Sequence, residues 1–400
     1  MEVQLMSDKS VAGEAFWERV GAAYPEQRPL LNLNNAAVSP PPLVVEQAMI
    51  DAYRLISQNP DVNMWSKLDA ELPAIKRQLA DLADCEPDEI ALNRNSSEGL
   101  STAIFGIPLE AGDQVLVSLW DYPSVIAGWM QRQQREGIEV VTVDFDLMDD
   151  ENVIVQAYAQ AITPRTRVIQ LTHMLHWTGR VLPVKRICAL ARAQAQAQAQ
   201  AIITVVDGAQ TFAQMPLSFR ELDCDYFVTS LHKWLGAPVG NGMLIVRRDR
   251  IDSTWPLLGP FDPPPLQIDK FDHWNLGTYN SAIQAGIAPA LRFHAQIGTR
   301  AIHARLQELT RYWVDLAKDI PGFRLHTPLD TVELGAVSLF SIDRCDARWV
   351  EQELRKTHKV HVKFREIRHI SGLRVSPGIY TQKSDLRRFV EALKQVIASR

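Results

Sequence analysis

The chain has little cysteine, no long apolar run and no surplus of positive charge, and each shortage narrows what it can be. Its four cysteines, Cys85, Cys188, Cys224 and Cys345, stand far apart in 400 residues, without the paired spacing of a zinc or dithiol site. They are expected to be reduced and mostly buried thiols, and no metal site is expected. A formal net charge of −5 supplies no basic field to attract nucleic acid or anionic lipid. No stretch approaches the roughly 20 apolar residues that span a bilayer. Residues Met1–Ala15 are polar and acidic, unlike a secretory signal or an anchor, so a cytoplasmic protein without membrane or nucleic-acid partners is the expectation.

What is present is ordinary globular composition, 46% hydrophobic and 22% charged, enough for one large core and a second smaller one. From about residue 40 to 250, helical stretches alternate with short apolar runs. The runs read as seven strands: Glu89–Leu92, Gln114–Leu119, Val140–Phe145, Val168–Thr172, Ile202–Val206, Tyr226–Ser230 and Met243–Val246. Continuous apolar runs separated by helices predict a mostly parallel seven-stranded sheet covered by helices, an α/β large domain. Such a sheet offers its ligand site at the carboxyl ends of its strands. The alternating Ala and Gln of Ala193–Ala201 read as the end of an exposed helix, because alanine is a poor strand former. Five prolines between residues 254 and 270 mark a covering or crossing loop. Beyond it, Ala282–Leu316 reads as one or two long helices. Strands near Ala336–Ser341, Val360–Phe364 and Leu373–Val375, with helices Ala347–Thr357 and Ser384–Ala398, complete a small C-terminal α+β domain. The expected division is residues 1–30 as an N-terminal segment packing on the small domain, 31–285 as the large domain and 286–400 as the small one.

Three pieces of the strand-rich region carry chemistry. Val205-Val206-Asp207-Gly208-Ala209-Gln210 is an apolar strand that ends in a carboxylate. Thr229-Ser230-Leu231-His232-Lys233-Trp234 is a second strand end, closed by a lysine. Asn93-Arg94-Asn95-Ser96-Ser97-Glu98-Gly99 is a polar turn that opens a helix. Most lysines are solvated, but one that follows a buried strand loses hydration, titrates lower and can attack an aldehyde. An aspartate after a strand is often a turn or cap residue. Here it is also placed to keep a pyridine nitrogen protonated, the state in which pyridoxal 5′-phosphate (PLP) is the better electron sink. Ser96 and Ser97 suit a helix cap and, equally, a phosphate on free N–H groups at a positive helix end.

Together these motifs resemble the fold-type I PLP enzymes, specifically the class V aminotransferase family that includes cysteine desulfurases and isopenicillin N epimerase-like proteins. The resemblance runs from about Leu31 to the C-terminus and includes Gly277-Thr278-Tyr279-Asn280 and Leu373-Arg374-Val375-Ser376-Pro377. It implies that Lys233 carries PLP as a Schiff base and moves protons at the substrate Cα. Asp207 would pair with the pyridinium, and Gln210 with the phenolic oxygen. Ser96, Ser97, Ser230 and His232 would hold the phosphate. Thr278 would reach the phosphate of a neighbouring subunit, so a homodimer is implied. Arg374 would bind the carboxylate of a small amino-acid-like substrate.

Tyr122 falls where the family stacks an aromatic ring on the cofactor, and where desulfurases use histidine. His176 sits in the loop after Val168–Thr172, near the cofactor oxygen in relatives, and can exchange a proton near neutral pH. Asn35 and Arg94 are further pocket candidates, and Trp65, Trp177, Trp274 and His273 are candidate aromatic walls. No cysteine occurs from Thr357 to Arg374, where desulfurases carry their nucleophile, which disfavours persulfide chemistry. Transamination is the leading expectation. β-Elimination (including C–S lyase chemistry) and epimerisation are its rivals, with His176, Tyr122 and Tyr279 as conceivable second bases. A catalytically inactive PLP-fold binding module and a nucleotide-binding α/β protein are explanations of another class. Asn93–Gly99 offers a single glycine to the latter.

Overall fold

A computed structural model describes residues 13–25, 30–198, 201–260, 267–331 and 333–399. Among the described residues thirteen strands form three sheets. A short β1 (Leu31–Asn32) precedes the seven strands of the large sheet. These are β2 (Ile90–Asn93), β3 (Gln114–Ser118), β4 (Glu139–Val143), β5 (Thr166–Thr172), β6 (Ile203–Asp207), β7 (Tyr226–Ser230) and β8 (Gly242–Val246). Their order is β2-β8-β7-β6-β5-β3-β4. Every neighbouring pair is parallel except the two that involve β8, which runs against both β2 and β7. The α/β expectation for the large domain therefore holds.

Side-chain alternation explains why these strands read as unbroken apolar runs. Leu116, Ile169, Val206, Phe227 and Ile245 face one buried cluster. Val115, Val117, Val168, Val205, Val228 and Leu244 face a second cluster on the opposite side. With both faces covered, polar residues are scarce along the central strands before their ends; Gln170 of β5 is buried, accepting from Trp129 Nε1 and donating to the Val205 carbonyl.

The small domain follows two consecutive helices, Ile287–Ile297 and Thr299–Ala317. Its antiparallel sheet has the order β12-β13-β10-β9, with β9 at Phe323–Leu325, β10 at Ser338–Ile342, β12 at Lys363–Ile367 and β13 at Ile370–Val375. The expected single strand Val360–Phe364 is divided. Val360–His361 forms β11 and pairs in parallel with β1, and the chain then turns into β12 against β13. Trp313 is fully buried in the separate core of this domain, against Phe340 at 5.4 Å and Phe389 at 5.8 Å between ring centroids.

The part of the Ala/Gln repeat up to Gln198 closes the helix Val184–Gln198, as expected, while residues 199–200 lie outside the described residues and Ala201 is not helical. Of the N-terminal segment, the helix Glu14–Ala22 is described. It buries Trp17 and Val20 in the larger core and contacts the small domain through Glu14 to Lys383 at 2.7 Å and through the Trp17 carbonyl, which accepts from Gln382 Nε2 at 3.0 Å. Pro263, Pro264 and Pro265 of the expected loop lie outside the described residues. All four cysteines are free, three of them buried. Among the described residues no helix is long and apolar enough to cross a membrane.

Candidate active site

The carboxyl ends of β2, β3, β5, β6 and β7 lie along one edge, where β8 begins. Thr172 pairs with Asp207, Ser230 with Gly242, and Asn93 with the same glycine. A Cβ at Gly242 would lie 2.3 Å from Asn93 Oδ1, so glycine is required for this close approach.

Asp207, the last residue of β6, is buried. Its Oδ1 accepts from the backbone N–H of Ala209 at 2.9 Å. Burial raises its pKa, opposed by the positive charge of Lys233 and by that backbone N–H. Lys233 follows β7 by three residues. Burial lowers its pKa from 10.5 to about 8, against the attraction of Asp207, while Arg374 and Arg365 push in the same direction as burial. Asp207 and Lys233 therefore meet electrostatically, as their strand ends predict.

The turn after β2 opens the helix Ser96–Gly106. Its cap is Asn95, whose side chain accepts from the N–H of Glu98 at 3.0 Å, and not Ser96 or Ser97. Ser96 is consequently free to pair with Ser230: the Ser230 hydroxyl accepts from the Ser96 N–H and donates to Ser96 Oγ, both at 2.9 Å. Ser97 is exposed at the mouth. His232 donates from Nδ1 to the carbonyl of Asn241 at 3.2 Å, and burial and Lys233 lower its pKa. Gln210 donates from Nε2 to the Ala36 carbonyl and accepts from Trp234 Nε1, both at 3.0 Å. One N–H of its amide remains for another acceptor.

The opposite wall comes from the small domain. Arg374, on β13, is 1% exposed. It donates from Nη1 to the His176 carbonyl and from Nη2 to Asn34 Oδ1, both at 2.8 Å. Burial, aided by Arg365, lowers its pKa to about 9. Alternation along β13 sends Leu373 and Val375 into the small core and Arg374 the other way, towards the large domain. His176 is buried, with its ring 4.9 Å from that of Tyr122 and 4.1 Å from that of Trp177. Burial, Arg374, Arg365 and Lys233 all hold His176 well below its usual pKa, so it is neutral near pH 7. Tyr122 is 42% exposed and precedes the helix Pro123–Glu136.

Several expectations are corrected. Asn35 is not available to a ligand. Its Oδ1 accepts from Tyr380 at 2.7 Å and from Asn32 at 3.2 Å, and its Nδ2 donates to the Ser376 carbonyl at 2.9 Å. Its neighbour Asn34 is the one that reaches the site. Arg94 is exposed and bonded to Glu98. Trp65 and Trp274 are largely exposed. Tyr279 packs on His273 at 4.2 Å between ring centroids, with no hydrogen bond to the Lys233 cluster among the described residues. Thr278, by contrast, is exposed and so open to a neighbouring subunit. Asn34, Arg365 and Asp121 were missed by sequence reasoning. Asp121 is buried beside Thr172, and its pKa is raised to about 7 by burial.

The residues present fit PLP. A buried carboxylate faces an aldehyde-competent amine across one strand gap, and a pair of serine hydroxyls sits at a helix N-terminus on the same edge. This fold and site define a fold-type I PLP-dependent enzyme. The chain belongs to the aminotransferase class-V family, whose model matches residues 31–389. It is 28% identical over 396 residues to isopenicillin N epimerase of Streptomyces clavuligerus, covering 95% of this chain and 98% of that protein. It is 25% identical over 397 residues to a probable cysteine desulfurase of Synechocystis sp., covering 92% and 91%. A lysine-to-alanine variant of C-DES with glycine covalently linked to its PLP cofactor has the same fold, at a TM-score of 0.83, 20% identity and coverage of 93% and 98%.

Proposed function

We propose that this PLP-dependent enzyme moves the proton at Cα of an amino-acid substrate and epimerises that centre. The carrying observation is the Tyr122–His176 pair, which stands beside Lys233 as a second place to hold a proton. Transamination, the leading expectation from sequence, requires Lys233 alone as proton carrier and uses Tyr122 only as a ring stacked on the cofactor. Epimerisation requires two carriers, one for each face of Cα. The likeness to isopenicillin N epimerase over nearly the whole chain supports this reading.

When bound, PLP supplies the electron sink that acidifies the Cα–H bond. Lys233, titrating near 8, accepts the proton on one side. The phenol of Tyr122, in contact with the neutral imidazole of His176, returns a proton on the other. Arg374 fixes the substrate carboxylate, which decides the bond presented for cleavage. Asp207 keeps the ring nitrogen protonated. Ser96, Ser97, Ser230 and His232 take the phosphate. His232 already donates from Nδ1 to Asn241, so it must gain a second proton to donate from Nε2, a state that an adjacent dianion favours. The spare N–H of Gln210 would be available to the phenolic oxygen. The active unit is a homodimer in which Thr278 serves the neighbouring site. Exposed Trp274, and exposed Tyr53 bonded to Asn280 two residues after Thr278, support such an interface.

Persulfide chemistry has no physical support. Burial pushes the thiols of Cys85 and Cys188 up to about 12 and holds that of Cys224 well above its usual value. Cys345 packs against the small-domain core.

The test is a panel of single-enantiomer amino acids in D₂O, followed by chiral chromatography and NMR. Inversion with one deuterium at Cα, no keto acid and no released leaving group is the expected result. Tyr122→Phe should retain deuterium exchange with configuration kept and lose inversion. Stoichiometric keto acid from the wild type would replace the proposal with transamination or elimination.

A further inference from the structure

Arg374 does not stand alone. In the register of β12 and β13, Lys363 lies opposite Arg374 and Arg365 lies opposite Gly372. Residues directly opposite share a face, and so do residues two apart on one strand. Lys363, Arg365 and Arg374 therefore project from one face of the sheet, the face turned to the large domain. The diagonal pair Arg365 and Arg374 has Cβ atoms roughly 7 Å apart or somewhat less by sheet geometry.

Arg365 differs from the other arginines nearby in having no partner. Arg368, three residues on, is bidentate to Asp144, at 2.7 and 3.1 Å. Arg365 makes no hydrogen bond or ion pair among the described residues, and its Nε is buried without an acceptor. Tyr122 and, less, Glu351 act on it electrostatically, without a hydrogen bond or ion pair. The guanidinium lies over the ring of Trp177 at 5.9 Å, and Trp177 is anchored by Nε1 to the Trp120 carbonyl at 3.1 Å. The Nε of Arg374 is also buried and unpartnered. Both guanidiniums act on His176 and Lys233, so both belong to the same pocket. Two like charges held together, neither with a carboxylate within ion-pair distance, oppose folding until an anion arrives. One substrate carboxylate on Arg374 leaves Arg365 unneutralised.

From this we infer that the substrate carries a second anionic group, a carboxylate a few carbons beyond the first, and that Arg365 on its Trp177 shelf is the residue that selects it. The inference rests on the assignment of Arg374 to the first carboxylate. It narrows the substrate to amino acids with an acidic side chain or an equivalent distal acid.

Unreactive ligands without an amine separate this claim from turnover. Calorimetric titration of the PLP-loaded enzyme compares glutarate with valerate, which has the same carbon count and one carboxylate, and extends to the dicarboxylates from malonate to adipate. Wild type is expected to prefer one dicarboxylate over its monocarboxylate by about tenfold or more, the equivalent of one partly buried charge pair. Arg365→Gln should erase that preference and leave valerate affinity within about twofold, and Arg365→Lys should restore part of it. Equal affinities in the wild type, or a preference that survives in Arg365→Gln, would overturn the inference. Parallel weakening of both ligands would also overturn it, by showing that Arg365 shares the first carboxylate. Failure of the Lys233 assignment would appear separately, as no cofactor label on the wild-type protein.

Discussion

Arg374 donates from Nη1 to the main-chain carbonyl of His176 at 2.8 Å, so the residue proposed to bind the substrate carboxylate is hydrogen-bonded directly to the loop that follows β5. The same guanidinium holds Asn34. One side chain thus ties together the N-terminal strand region, the large sheet and the small domain at the point where substrate is to bind.

Arg374→Gln should weaken amino-acid binding by roughly 2–5 kcal/mol, because a buried, hydrogen-bonded charge pair is lost. The check is a titration of the visible band with substrate. Affinity within twofold of wild type would place the carboxylate elsewhere.

Asp207→Asn retains the size of the side chain and its bond from Ala209 but removes the negative charge. Loss of Cα–H to D₂O, followed by NMR, should slow by about a hundredfold or more, the usual cost of a misplaced charge in a catalytic site. Cofactor retention is measured alongside it, so that slower exchange in a loaded protein isolates the electronic role. Normal exchange in the loaded variant would remove that role.

The amine of Lys233 is nucleophilic only when unprotonated, and burial moves its pKa from 10.5 to about 8. The rate at which apoenzyme takes up PLP should therefore rise with pH, approaching tenfold per unit well below 8, and level off above it. Stopped-flow absorbance measures this directly. A midpoint near 10 would mean that the lysine is solvated.

Cys345→Ser should retain full activity, and wild-type enzyme treated with iodoacetamide should too, since the other three thiols are buried and protonated at neutral pH. Turnover with each substrate found active is the readout. Loss of activity in Cys345→Ser would reopen thiol chemistry.

What the sequence reveals of this site follows from where its residues sit in their elements. Asp207 and Ser230 are legible because each closes an apolar strand, and polarity at that position has a purpose. Lys233 is legible for the same reason, three residues on. Asn34 and Asn35 could not be told apart. In an extended segment adjacent residues point to opposite sides, and which side faces the site depends on pairing with Ser376, 341 residues beyond Asn35. Arg365 was hidden in a run of basic residues. Its face is fixed by register with β13, and its lack of a partner by tertiary packing alone. The division of Val360–Phe364 between two sheets has the same origin: β1 captures its first two residues, a contact that no local pattern encodes. The helix cap at Asn95 was open to local reasoning, since asparagine is as good a cap as serine, and the choice freed Ser96 for Ser230.

Borohydride reduction of the PLP-loaded enzyme, followed by peptide mass analysis, tests the central claim most directly. The account predicts one reduced cofactor per chain, attached at Lys233, with no label in Lys233→Ala. A label on another lysine, or none on the wild-type protein, would contradict it.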